Sequence, residues 1–272
     1  MTNGKYVRRS GVVIMASLIT LLGSLAYIMI LAVINGSVGF IVAMGVTLMG
    51  AVGIAKSLGE AIPLFAVALL LGITIWNFFS EATNMGMLSI VSRGDLLRKV
   101  NFSKPVLIFS VVANAFINLM ISLVVVIIFA LINGVHMSWT VIFAVPLLFE
   151  LTLFTMGIAF ILSTLFVYFR DLGPIWEVVM QAAFYGTPII YPVTQISTSH
   201  LEIAKILMLN PMAQIVQDMR YILTFSNNAN PTLWQMWDNP FVIIIPYILP
   251  VLVFGLGLWI FTKNSKKFAE VI

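Results

Sequence analysis

Residues Val106–Ile132 read VLIFSVVANAFINLMISLVVVIIFALI, a stretch without a charged side chain that is long enough to cross a bilayer as a helix. Comparable apolar stretches precede and follow it, at Gly11–Ile34, Val38–Ala55, Ile62–Phe79, Thr140–Phe169, Ile175–Val193 and Phe241–Phe261. A bilayer interior offers the backbone no hydrogen-bond partner, so such stretches form helices whose peptide groups are satisfied internally. The pattern predicts an all-α, multi-pass membrane protein.

The composition restricts the chemistry that this chain can perform. Hydrophobic residues make up 61% of it and charged residues 9%, against about 25% charged residues in a soluble domain. The absence of cysteine excludes disulfides, iron–sulfur clusters and thiol catalysis. His136 and His200 lie far apart with no second ligand nearby, so no metal site is predicted. Without a G-x-x-x-x-G-K-[ST] loop, we expect no enzyme activity and no cofactor bound by this chain.

The basic residues predict the orientation of the chain. The segment Ser80–Pro105 and the tail after Phe261 are both basic, with Arg93, Arg98, Lys99 and Lys104 in the first and Lys263, Lys266 and Lys267 in the second. By the positive-inside rule, both lie in the cytoplasm, and the connection Thr194–Pro240 is therefore external. The net charge of +4 is explained by this anchoring, and we expect no nucleic-acid partner.

The N-terminal region, residues 1–35, leaves two topologies open. Three apolar stretches precede the first cytoplasmic segment, and Lys5, Arg8 and Arg9 precede all three. If all three stretches span the membrane, these basic residues lie outside, against the positive-inside rule. We favour six transmembrane helices plus an extra N-terminal apolar helix that lies in the interface or enters the membrane only partly.

The segment 80–105 is the most informative cytoplasmic element. A span is predicted to end near Phe79, and a short amphipathic helix follows over Met87–Lys99, with an apolar side that includes Met87 and Val91. This helix either lies in the interface with solvated charges or docks a cytoplasmic partner. In the second case Arg93, Arg98 and Lys99 are candidates to contact the pyrophosphate of a lipid substrate.

Two further features carry polar groups. At the turn between two spans, Asp171 is predicted to cap the following helix and Arg170 to interact with the end of the preceding one. Glu150 is the one acid deep inside an apolar stretch, since Glu177 lies at the very start of its own. An acid in a membrane helix marks a proton relay or a substrate contact by default. The alternative is a residue near the helix end that is hydrogen-bonded to a neighbour.

The long connection 194–240 is predicted to form structure rather than a loose loop. Two short helices, Leu201–Leu209 and Pro211–Thr224, are separated by Asn210-Pro211. Apolar residues recur in them at helical spacing and need a partner surface, namely Ile203, Ile206, Leu207, Ile215, Val216 and Met219. Aromatic residues typical of a membrane interface flank them, namely Tyr191, Trp234 and Trp237. We predict re-entrant helices that close the external side.

Several short blocks, in order along the chain, resemble the ABC-2 type permeases of polysaccharide exporters. They are Trp76-Asn77-Phe78-Phe79, Leu97–Phe102 with Pro105, Tyr168-Phe169-Arg170-Asp171, Thr187–Pro192, and Leu209-Asn210-Pro211 with Arg220. The resemblance covers about residues 36–262. One such block is a weak signal, but the agreement in order and spacing is strong.

The resemblance implies a single transmembrane domain over residues 1–272 in a bacterial inner membrane. It implies a homodimer with two ABC ATP-binding subunits that bind ATP and Mg, and export of polyprenyl-lipid-linked O-antigen, capsule or teichoic acid. The coupling residues would be Met87, Val91, Arg93, Arg98, Lys99, Arg170 and Asp171, and the external gate would include Tyr191, Asn210, Pro211 and Arg220. A drug or lipid exporter of the same superfamily and a non-transporting membrane scaffold remain alternatives.

Overall fold

The structure is a computed structural model, and it describes residues 63–94, 103–132, 134–135, 139–189, 193, 201–224, 232–265 and 268. In this part of the chain the regular secondary structure is helical, as the sequence predicts. The predicted N-terminal helix of residues 1–35 and the apolar stretch Val38–Ala55 lie outside the described residues, so the topology of the N-terminus stays a prediction.

The α-helices follow the apolar stretches closely. In chain order they are α1 (Pro63–Leu88), α2 (Pro105–Ile132), α3 (Ala144–Tyr168), α4 (Leu172–Gly186), α5 (Leu201–Leu207), α6 (Pro211–Thr224), α7 (Leu233–Met236) and α8 (Pro240–Ser265). Short 3₁₀ helices at Val91–Arg93 and Trp139–Phe143 complete the set, and the second of these leads directly into α3.

Three of the described helical segments are long and apolar enough to cross a membrane: Pro105–Ile132, Trp139–Tyr168 and Pro240–Ser265. The predicted span Ile175–Val193 is represented by α4, which has 15 residues and ends at Gly186. Helix α1 runs to Leu88, well beyond the end predicted near Phe79. The number of six spans therefore stays a prediction.

The chain forms two compact units, Met1–Leu70 with Ile121–Val135, and Leu71–Met120 with His136–Ile272. In the first unit, the end of α2 is closed by Gly134, whose φ of 79° is a left-handed conformation that glycine adopts without strain. The backbone N–H of Val135 donates to the carbonyl of Ala130 at 3.1 Å. These features give a helix C-terminus whose last carbonyls find partners.

In the second unit, α3 and α8 pack along each other at unusually close range. Gly157 and Gly257 face each other at the crossing, and a Cβ on Gly157 would lie 2.6 Å from the backbone nitrogen of Phe254. Small residues at a helix crossing allow the two backbones to approach, which is the usual way that membrane helices associate. This contact fixes α3 and α8 as the frame against which the shorter helices are placed.

Candidate functional site

Helix α6 lies at the centre of the candidate site. With 14 residues it is too short to cross a bilayer, yet every residue from 211 to 220 is buried. It packs against α3, against the 3₁₀ turn Trp139–Phe143 and against α8. The predicted apolar residues Ile215, Val216 and Met219 are buried, but so are four polar residues of the same helix, namely Gln214, Gln217, Asp218 and Arg220.

A chain of hydrogen bonds connects α6 to its neighbours. The indole N–H of Trp234 donates to Tyr247 Oη at 3.2 Å, and the Tyr247 hydroxyl donates to Asp218 Oδ2 at 2.6 Å. The amide of Gln214 donates to the same Asp218 oxygen at 2.7 Å, and Glu150 lies close to both Gln214 and Asp218. These five residues form the polar network, which joins α6 to α3, α7 and α8.

The polar network is only partly satisfied. Glu150 Oε1, Asp218 Oδ1 and Gln214 Oε1 are buried oxygen atoms without a hydrogen-bond partner within the described part of the chain. Burial raises the pKa of the Asp218 carboxyl above its ordinary value, more than the hydrogen bonds from Gln214 and Tyr247 lower it. A buried acceptor left unpaired costs about 1–3 kcal/mol, so such atoms usually have a functional explanation.

The polar network borders a cavity of about 600 Å³. Asp218 and Glu150 line it together with the aromatic residues Phe143, Tyr221, Trp234 and Tyr247. A volume of this size falls in the range of small-molecule sites, roughly 300–1,000 Å³. The cavity therefore combines apolar walls with a few convergent polar atoms, which is the usual composition of a ligand site.

Arg220 ties the other side of α6 to the end of α4. Its guanidinium donates to the carbonyl oxygens of Pro188, at 2.7 Å, and Ile189. Burial lowers the pKa of Arg220 to about 10, so the side chain is still charged at neutral pH. A Cβ on Gly72 of α1 would lie 2.8 Å from Arg220 Nη2. Glycine at position 72 therefore leaves the space that the guanidinium occupies.

The other predicted gate residues define the start of α6. Asn210 Oδ1 accepts a hydrogen bond from the backbone N–H of Met212 at 3.1 Å, and Pro211 is the first residue of the helix. This is the usual arrangement of an N-cap side chain followed by proline. Tyr191 lies outside the described residues, so its predicted place in the gate is untested.

Helix α5 presents a different face from the one predicted. Ile203 and Ile206 are exposed, so the prediction that they face the protein is wrong. Ala204 and Met208 are buried instead, in a cluster with Val193, Ala213, Leu233 and Ile243. The helix has only seven residues, and over so short a length two apolar faces satisfy the same helical spacing.

The predicted coupling residues lie near the opposite end of α3. Met87 is buried against Leu162 and Phe166, and partly buried residues complete this apolar cluster, namely Val91, Ile158, Leu172 and Trp176. Met87 is in the last turn of α1, whereas we expected it to start a separate helix. The structure thus brings Met87 and Val91 together with the residues that follow the turn Arg170-Asp171.

The charged members of the predicted coupling set are at the surface where they are described. Arg93, Arg170 and Asp171 are exposed, and Arg98 and Lys99 lie outside the described residues. Asp171 occupies the N-cap position of α4 but makes no capping hydrogen bond with its side chain. The predicted cap is therefore wrong, because α4 begins with Asp171 in helical backbone geometry rather than in the extended geometry of a capping residue.

The sequence pattern did not predict the partners of Glu150. No second acid lies within a helical turn of it, yet α6 brings Asp218 and Gln214 to it and α8 brings Tyr247. The available signal was the run of polar residues inside α6, which is unusual for a helix that also contains Ile215 and Val216. Among the described residues, no group of three or more potential metal ligands occurs.

Comparison with known proteins finds relatives among O-antigen export permeases. The chain is 27% identical to the O-antigen export system permease protein RfbA of Klebsiella pneumoniae over 212 residues, which are 78% of this chain and 77% of that protein. It is 35% identical to the protein of the same name from Myxococcus xanthus over 166 residues, 60% of this chain and 62% of the length of that protein. No protein-family model matches the chain.

A second Klebsiella pneumoniae permease of that name is also 27% identical over 212 residues. These relatives agree with the resemblance predicted from the ordered sequence blocks, and the long apolar helices agree with a multi-pass membrane protein. Over 60–78% of its length the chain is thus similar to proteins named as O-antigen export system permeases.

Proposed function

We propose that this chain is the membrane permease subunit of an ATP-driven ABC exporter that carries polyprenyl-lipid-linked polysaccharide across the bacterial inner membrane. The observation that carries the proposal is the similarity to O-antigen export permeases over most of the chain. The cargo is O-antigen or a related capsule or teichoic-acid polymer. A polymer is too long to be enclosed, so the permease offers it a continuous path.

ATP hydrolysis takes place on a separate subunit. The sequence has no phosphate-binding loop, so two ABC ATP-binding subunits bind ATP and Mg and a homodimer of this chain receives the force. Packing of Met87 and Val91 against Leu172 and Trp176 supports this division of labour. A push on the turn at Arg170-Asp171 would reach α1 and α3 through the apolar cluster.

The helices α5 and α6 form the external gate in this proposal. Both ends of α6 are fixed by side-chain hydrogen bonds, with Asn210 at its start and Arg220 near its end. The polar network connects the same helix to α3 and α8. A movement of either spanning helix would therefore change the position of α6.

A deletion strain tests the proposed function. Loss of this chain should abolish surface polysaccharide while the lipid-linked polymer accumulates on the cytoplasmic side, and the wild-type chain should restore export. Copurification with an ABC ATPase and stimulation of its activity by the lipid-linked glycan should accompany this. Unchanged surface polysaccharide together with increased sensitivity to drugs would favour a drug exporter, and no copurifying ATPase would favour a scaffold.

The cytoplasmic charges separate coupling from substrate recognition. Reversing Arg98 and Lys99 together to glutamate should uncouple ATP hydrolysis from export, because the docking surface loses its basic residues. If the ATPase still copurifies and only stimulation by the lipid-linked glycan is lost, the pair contacts the pyrophosphate instead. Normal export in this variant would remove both roles.

A further inference from the structure

Every hydrogen bond of the polar network is accepted by a side-chain oxygen atom. The side chains of Trp234 and Tyr247 each donate their one polar hydrogen, and Gln214 donates its amide to Asp218. The atoms that remain unpartnered are oxygen acceptors, Glu150 Oε1, Asp218 Oδ1 and Gln214 Oε1. A molecule that satisfies them must supply several hydrogen-bond donors.

Asp218 connects these acceptors to the cavity. Its side chain is 8% exposed and lines the cavity together with Glu150 and Thr140, whose hydroxyl is also without a partner among the described residues. The aromatic walls are provided by Phe143, Tyr221 and Trp234. The site thus combines acceptor atoms with flat apolar surfaces.

Trp234 is placed to contact a ligand rather than to fill the core. It is 61% exposed, and its indole N–H is held by Tyr247. A fixed, open indole face is a good surface for the C–H face of a ring, because a rigid aromatic ring adds contact area with little loss of conformational entropy.

We propose that this cavity is a binding subsite for a sugar residue of the exported polymer, whose hydroxyl groups donate to Glu150 and Asp218 while its ring packs on Trp234. This inference rests on the proposed function and specifies where the same cargo is held. A sugar matches the site because it has several donors around an apolar ring face. A divalent metal matches it less well, since the described residues bring no third carboxylate or histidine to the two acids.

Binding of glycan to the purified chain tests the subsite directly. The probe is oligosaccharide released by mild acid from the surface polymer of the producing strain, titrated calorimetrically into the chain in lipid nanodiscs. Glu150→Gln and Asp218→Asn should each weaken binding about tenfold, because each replaces one acceptor oxygen by an amide nitrogen that cannot accept a hydrogen bond. Trp234→Ala should also weaken binding about tenfold through the lost ring contact.

Matched controls separate the site from general effects on folding. Glu177→Gln on α4 and Trp259→Ala on α8 change the same residue types at exposed positions outside the cavity, and both should bind as wild type does. Trp234→Phe keeps an aromatic surface and should recover most of the binding lost in Trp234→Ala. Thermal melting curves identify any variant that is misfolded.

The outcomes distinguish the subsite from the proposed function. If the wild-type chain restores surface polysaccharide and the cavity variants bind glycan as tightly as wild type, the subsite is overturned and the function stands. If the wild-type chain fails to restore surface polysaccharide in the deletion strain, the function itself is overturned. Binding of tetraphenylphosphonium in place of glycan, lost in Asp218→Asn, would assign the cavity to organic cations and also overturn the sugar subsite.

Discussion

The two ends of α3 are held in different ways. Near its start, Glu150 takes part in a polar network that contains buried acceptors without partners. Near its end, Leu162 and Phe166 pack into an apolar cluster with Met87, and the neighbouring charges of Arg170 and Asp171 are exposed. The unpaired buried acceptors lower the stability of the fold, whereas the apolar cluster raises it.

This difference separates the tasks that the two ends can perform. Tightly packed apolar side chains transmit displacement because protein interiors are dense and resist compression. Buried polar atoms without partners give little stability, and they mark a place where a ligand can supply the missing hydrogen bonds. In the proposed exporter, the apolar cluster therefore couples to the ATPase and the polar network meets the cargo.

The largest effect on stability is expected at the close contact between α3 and α8. Gly157→Ala should lower the stability of the chain by about 3 kcal/mol, because its Cβ would meet the backbone of α8 around Val253 and Phe254. Thermal melting in detergent measures this loss. Gly255→Ala, two residues from the crossing glycine of α8 and facing open space, should have no destabilising effect. Equal melting temperatures for both variants would exclude the close crossing.

The next largest effect tests the attachment of α6 to the residues after α4. Arg220→Lys should cost about 2 kcal/mol, because an ammonium cannot donate to the Pro188 and Ile189 carbonyls with the geometry of a guanidinium. Melting temperature and export are both expected to fall. Arg170→Lys, at an exposed position, is the matched control and should melt as wild type does. If Arg220→Lys melts and exports as wild type does, this attachment is not needed.

A smaller effect, of opposite sign, is expected in the polar network. Asp218 has a raised pKa because of burial, so the folded state holds its proton more tightly than the unfolded state does. Stability should therefore fall as pH rises from about 4 towards the folded-state pKa of Asp218 and then level off. Asp218→Asn should remove this loss and stabilise the chain by about 1 kcal/mol at pH 7.

Melting curves of wild type and Asp218→Asn, recorded from about pH 4 to about pH 8, test this prediction. Glu150 and Tyr247, the other titratable groups of the network, are unchanged in the variant. A variant that is less stable than wild type at every pH would show that the Asp218 charge is well compensated. Greater stability together with weaker glycan binding would fit a site that sacrifices stability for function.

The smallest effect is expected at the exposed turn. Asp171→Ala should change stability by less than about 0.5 kcal/mol, because the side chain is exposed and forms no capping bond. Thermal melting checks this. A loss of about 1 kcal/mol in stability would instead support the capping role that was predicted from the sequence.

The sequence predicted the helices well because the apolar stretches are long and their limits carry clear signals. Pro105 and Pro240 begin α2 and α8, and Asn210-Pro211 begins α6. Such signals depend only on residues that are neighbours in the sequence, so the sequence alone is enough to detect them. The extension of α1 to Leu88 was missed because its last two turns are too polar to continue the apolar pattern.

The site could be predicted only in part, because it is assembled from distant segments. Asn210, Pro211 and Arg220 all belong to the start or the body of α6, and Met87 and Val91 share an apolar cluster with residues that follow the turn after α3. Their predicted roles in a gate and in coupling stay predictions. The proximity of Glu150 to Asp218 and Tyr247 around one cavity depends on how α6 packs between α3 and α8. Helical periodicity cannot show which buried polar residues of different helices meet.

Reversible locking of α5 tests the central claim, that the short external helices must move for cargo to leave. The chain has no cysteine, so Ala204→Cys with Ile243→Cys, both in one buried cluster, introduces a single possible disulfide. Export measured as surface polysaccharide should stop when this bond forms and return on reduction, while each single variant exports normally. Full export with the bond shown by mass spectrometry to be formed would contradict the account.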